Sequence, residues 1–159
     1  MSSSAAELSI WDVIAREAAE ESELWAAALR PDRERDRTPV FSPLGPARFA
    51  LGLESIYEGY LLHYGRPRLF APPDSDTAIL LGDYLYAHGL VRVAERGEVD
   101  VVAELAALIS RCAQLRAERL DGDGEAWALT VASLAEGTGP SADPDAVARA
   151  VALHDALVD

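Results

Sequence analysis

The sequence lacks most of what builds small catalytic or secreted proteins. One cysteine, Cys112, occurs in 159 residues, which excludes an internal disulfide and a cysteine-based zinc site. Cys112 falls on an apolar helical stripe, so a buried position is expected. Basic residues are scarce, 14 against 27 acidic, and the formal net charge is −13. Such a chain is repelled at long range by nucleic acid and by anionic membrane surfaces. Its charge fits either a basic partner or a general compositional bias toward Ala, Arg, Asp, Glu and Gly. No apolar run reaches the length of a membrane span. The opening MSSSAAELSIWDVIAREAAEES has neither a basic nor an apolar signal region, so the protein is expected in the cytoplasm.

Site motifs are missing too. The three histidines, His63, His88 and His154, form no HxxxH or HExxH pair. Each lies in a helical pattern among apolar residues, where a packed, hydrogen-bonded histidine is the plainer reading. No Gly-rich phosphate loop and no GxSxG elbow occurs, and GDGE at 122–125 is too short for either a P-loop or an EF-hand. No DDxxD pair is found. DRERD at 32–36 has acids at a similar spacing, but in a loop and interrupted by arginines.

What remains is 50% hydrophobic and dominated by alanine, leucine and valine, which marks a folded and largely helical chain. The patterning predicts one all-α domain over 1–159 with about six helices. Residues 1–6 are a polar tail. Ser9 and Asp12 read as a capping pair for a helix running to Arg30, where Pro31 follows. The segment 31–45, continuing to Pro46, is a proline-punctuated loop with Arg33, Arg35 and Arg37. It is expected to be solvated, or else laid across a partner.

A helix from Pro46 to Tyr64 carries Phe49, Leu53, Ile56, Tyr60 and Tyr64, with Tyr57 and Leu61 widening the face. Prolines 72 and 73 place a second long loop at 65–75, and Asp74, Ser75 or Asp76 caps the next helix. In that helix Gly82 and Gly89 suggest close approach by another helix, and Gly97 ends it. Asp100 is expected to cap a helix to about Leu120. A short segment with Trp127 follows, and Asp143 with Pro144 opens the last helix. GEVDVV is the one place where period 2 competes, and it reads as helix because Ala-rich helical sequence follows.

Residues 49–118 resemble trans-polyprenyl diphosphate synthases. ILLGDYLYAHGL at 79–90 is similar to the GD-containing helix opening of that family. GRP at 65–67 is similar to the end of its loop, and ERGEVDVVAELAALISRCAQL resembles its next helical step, which ends in the family's glutamate-rich region at Glu118. The departure is specific. LLHYGRP, with His63, Tyr64 and Gly65, stands where the family has its first Asp-rich motif, and nothing in 119–159 matches the second.

The resemblance therefore implies a truncated isoprenoid-synthase-like helical bundle acting as the small, non-catalytic subunit of a heteromeric long-chain synthase. The DDxxD motifs and Mg²⁺ would belong to a catalytic partner, and this chain would hold no cofactor and help set product length. Interface or product-length candidates are Phe49, Ile56, Tyr57, Tyr60, Tyr64, Gly82, Asp83, Tyr84 and Gly89. Arg66 is a candidate diphosphate contact. Two alternatives stand beside this reading: a stand-alone helical protein-interaction domain, and a site assembled from His63, Asp83 and His88.

Overall fold

A computed structural model describes residues 8–97, 99–135 and 143–158. Seven α-helices occur among them: α1 Ile10–Glu21, α2 Glu23–Ala28, α3 Ala50–Tyr64, α4 Ser75–Arg96, α5 Val99–Ala117, α6 Asp123–Ser133 and α7 Pro144–Val158. No strand is present among the described residues; the single β-bridge joins Leu29 to Phe70. No described helix is long and apolar enough to cross a membrane. The tail at 1–6 and the loop at 137–142 lie outside the described residues.

The expected first helix is two. Ser9 caps α1 by accepting from Asp12 N at 3.2 Å. Ser22 then turns extended, gives its own N–H to Ala18 O, and caps α2 through Leu24 N. A serine hydroxyl satisfying the next first-turn amide is what allows the restart. The Pro46 start is also corrected: Pro46 precedes a 3₁₀ turn, Ala47–Phe49, and the α-helix begins at Ala50. Asp74 caps α4 through Thr77 N at 2.8 Å, and Gly97 ends it. Asp100 lies in the first turn of α5 rather than before it. Pro144 is the first residue of α7, and Asp143 Oδ1 accepts from Asp145 N.

Helix α3 is the axis of the molecule. Every residue from Gly52 to Leu62 is buried, so it has core on both sides. One core joins α3 to α5, α6 and α7 through Ile56, Tyr57, Tyr60, Leu105, Leu108, Cys112, Trp127 and Val131. The other joins α3 and α4 to α1 and α2 through Trp11, Ile14, Ala18, Leu62, Leu81 and Leu85. The principal neighbour of α3 is α4, and glycines set their spacing. A Cβ on Gly89 would lie 2.8 Å from Gly52 O, and one on Gly59 would lie 2.8 Å from Gly82 O. Gly52 and Gly59 on one helix thus meet Gly89 and Gly82 on the other, antiparallel, at backbone contact.

The two long loops are not solvated ribbons. Val40, Phe41, Ser42 and Leu44 are buried, and Phe41 stacks on Trp127 with ring centroids 5.5 Å apart. Leu69 and Phe70 are fully buried. Arg30 N donates to Leu69 O, Ala71 N to Ala28 O and Asp36 N to Arg68 O, so the loops are zipped to each other. Arginines that looked free in sequence are engaged: Arg35 with Arg30 O, and Arg37 with Asp12 and Asp32.

Candidate functional site

The C-terminal end of α3 is where the sequence departs from the resembled family, and the structure fills it with a dense polar cluster. His63 Nε2 lies 3.1 Å from Asp83 Oδ1, and its ring stacks on Tyr86. The Tyr64 ring packs 4.8 Å from that of Tyr60, and the Arg116 guanidinium lies 5.5 Å from the Tyr64 ring. Arg66 is tied to the last helix: its backbone N–H donates to Leu157 O and its side chain to Ala156 O, pinning α7 to the end of α3.

Below this lies a knot centred on Asp123. Gly122, at φ 116°, takes a left-handed conformation that starts α6 and turns Asp123 inward. Asp123 Oδ2 accepts from Tyr60 OH at 2.6 Å, from Arg116 at 2.6 and 3.2 Å, and from His154 Nε2 at 3.1 Å. Burial alone would raise the Asp123 carboxyl. The hydrogen bonds from His154, Tyr60 and Arg116 outweigh it and hold the group well below the usual carboxylate range. An ionised carboxylate only accepts, so His154 Nε2 carries a proton. In the neutral imidazole, Nδ1 then accepts from Tyr57 OH at 2.6 Å. Burial pushes the Tyr57 and Tyr60 hydroxyls upward, so both stay protonated. Burial likewise pushes the Cys112 thiol up to about 12, which makes it a poor nucleophile.

A second buried cluster locks the loop after α3. Arg68, 2% exposed, bonds Glu54 at 2.8 Å, Glu58 at 3.0 Å and Thr38 O at 2.9 Å. Glu58 also accepts from Leu69 N. The guanidinium lies over Trp11 at 4.8 Å and Tyr57 at 5.1 Å, so rings cover what carboxylates do not. The sequence reading missed this triad. Its signal was present in LESIYEGY, where Glu54 and Glu58 stand four apart inside an otherwise apolar helix and so require a buried cation.

The sequence candidates therefore separate. Phe49, Ile56, Tyr57 and Tyr60 lie inside the chain's own core, and a contact between them and a second chain would require that core to open. Gly82 and Gly89 are spent on α3. Tyr64 and Tyr84 are half-buried, with Tyr84 between Trp25 and His88, and Asp83 is exposed. The third candidate arrangement does not assemble. His63 pairs with Asp83, whereas His88 pairs with Glu17 of α1 at 2.9 Å, and Glu17 also binds Arg92.

No group of three or more His, Cys, Asp or Glu converges in metal-binding fashion among the described residues. At the end of α3 stand an imidazole, phenols and the Arg116–Asp123 pair. These residues do not fit a magnesium–diphosphate cluster, because the Asp123 carboxylate is already taken by three donors.

The outer face of α4 is different in kind. Ile79, Leu80 and Val91 are 47%, 57% and 53% exposed, with Asp83, Ala87 and Ala94 exposed between and beyond them at helical spacing. Opposite lies the face sealed against α3. Comparisons of the chain with protein-family models, curated proteins and solved structures give no match.

Proposed function

We propose that this chain is the small, non-catalytic subunit of a heteromeric trans-prenyl diphosphate synthase, and that a catalytic partner docks on the outer face of α4. The observation that carries the reading is the apolar stripe Ile79, Leu80, Ala87 and Val91. Ile79, Leu80 and Ala87 fall on ILLGDYLYAHGL, the segment that most resembles the synthase family, with Val91 directly after it, and the stripe is exposed among the described residues. An exposed apolar stripe framed by polar residues is the signature of a contact surface. The Asp-rich motifs, Mg²⁺ and diphosphate chemistry belong to the partner in this reading. This chain contributes a rigid helical wall, stiffened by the Asp123 and Arg68 clusters.

Product length would then be influenced through α4 and its half-buried Tyr84, not through Phe49, Ile56 or Tyr60. Co-expression with a DDxxD-bearing synthase tests the reading. Co-elution as a complex of defined mass, together with altered chain length or activity of that synthase, is expected. Independent elution with unchanged products would overturn it. The same stripe also fits a second copy of this chain, the simplest form of a stand-alone interaction domain. Homodimerisation in sedimentation, with no effect on any synthase, would favour that second reading.

A further inference from the structure

We infer that the open groove between α6 and α7, about 540 Å³ in volume, docks an amphipathic helix of a partner protein that carries a basic residue beside its apolar stripe. The groove floor is made by Ala128, Leu129, Ala132, Val147, Val151 and Ala152. Most of these are small, so the space between the two helices is left for bulky side chains from outside. Leu129 stands in the middle of α6 and is 71% exposed, so it adds little to the chain's own core. An exposed apolar surface with polar residues at its edge marks a contact site.

Charge selects the occupant. Glu125 of α6 and Asp155 of α7 are the charged residues that line the groove. They share one end of it. Asp123 bonds His154, and a Cβ on Gly124 would lie 3.0 Å from the His154 ring, so the start of α6 packs against the end of α7. Both acids are exposed, and neither carboxylate has a partner among the described residues. One Lys or Arg from outside would answer both, and a net charge of −13 steers a basic segment toward them. A second copy of this chain would instead bring the same large negative charge against the same two acids.

Backbone chemistry selects a helix. No strand edge is offered among the described residues, so an extended peptide would lay unpaired N–H and C=O groups on an apolar floor. A helix satisfies its own backbone. From Pro144 to Asp155 the groove runs about 16 Å along α7, or about three turns. That length takes apolar side chains at i, i+3 or i+4, and i+7, with the basic residue at the acidic end. The groove belongs to the core that joins α3 to α5, α6 and α7, not to the core shared with α4. The inference does not rest on the contact proposed above.

Fluorescence anisotropy with the full chain tests it, using a labelled synthetic helix of about 18 residues. The probe carries leucines on one face and alanines and lysines elsewhere. Saturable binding is expected. Matched peptides with glutamate for lysine, or with serine for leucine, should each bind about tenfold more weakly or worse. Leu129→Gln should lower affinity for the leucine–lysine peptide about tenfold. Glu125→Gln with Asp155→Asn should lower it about fivefold. Glu20→Gln with Glu21→Gln makes the same charge change at exposed positions of α1 and should leave it unchanged. Circular dichroism of the variants confirms that they fold. No saturable binding, equal binding of the serine peptide, or undiminished binding by Leu129→Gln overturns the inference. So does an equal loss in the α1 variant. A homodimer in sedimentation that Leu129→Gln dissociates also overturns it, because a second copy would then be the occupant.

Discussion

At the scale of single residues, three charges are buried together. Arg68 is surrounded by Glu54, Glu58, Trp11 and Tyr57 and is almost wholly removed from water. Arg68→Met would leave two buried carboxylates without their cation, and urea denaturation should show a loss of about 3–5 kcal/mol. Changing all three together to apolar residues of similar volume should cost far less, because the loss comes from the orphaned charges. Asp123 makes a pH-dependent contribution. Its carboxyl titrates below its ordinary value of 3.8 in the fold. The stability it adds is therefore complete above about pH 4 and fades as pH falls through the depressed folded value. Asp123→Asn should lower the melting temperature at pH 7, and the gap to the unmodified protein should narrow progressively below pH 4. A gap that stayed constant down to pH 2 would show that the ionised form is not what the Tyr60, Arg116 and His154 donors stabilise.

At the scale of elements, helix existence was legible because caps and periodicity are local. Asp74, Gly97, Asp143 and Pro144 punctuate the structure as they punctuate the sequence. The break at Ser22 was not legible, because EES sits inside an unbroken helical pattern. The loop at 31–45 was misread as solvated for a related reason: proline content marks irregular backbone but not burial, and Val40, Phe41 and Leu44 were the hints that it carries core. The candidate site was half legible. The absence of paired acids at LLHYGRP could be read directly. The Asp123 knot joins Tyr57, Tyr60, Arg116, Asp123 and His154 across nearly a hundred residues of chain, and no spacing rule reveals that. The glycine inference was sound in substance, with α3 as the neighbour. Alanine ordinarily stabilises a helix relative to glycine by about 1 kcal/mol. Gly89→Ala should do the reverse, since its Cβ would meet Ile56 at 2.6 Å and Gly52 O at 2.8 Å. Overpacking against backbone costs about 1–3 kcal/mol or more. A lower melting temperature for Gly89→Ala is the expected result, and a higher one would mean that α3 and α4 can slide apart freely.

At the scale of the whole molecule, the question is which surface is left over once the chain has satisfied itself. Helix α3 has no free side, and the loops are tied down. Helix α4, by contrast, has one face sealed by glycines against α3 and the other presenting Ile79, Leu80, Ala87 and Val91 to water. Because these side chains contribute little to the chain's own core, Leu80→Glu with Val91→Glu should change folding stability by less than about 1 kcal/mol. The same change would place two carboxylates in the centre of the proposed contact, where an unpaired buried charge costs several kcal/mol. Association with the proposed catalytic partner should therefore fall by a hundredfold or more, about 2.7 kcal/mol. The melting curve of the isolated chain should scarcely move. Sedimentation of the mixed proteins measures the first quantity and calorimetry of the single chain the second. If both fell together, the stripe would be part of the fold. If neither moved, the partner would have to dock elsewhere, with the α6–α7 groove around the exposed Leu129 the next surface to alter.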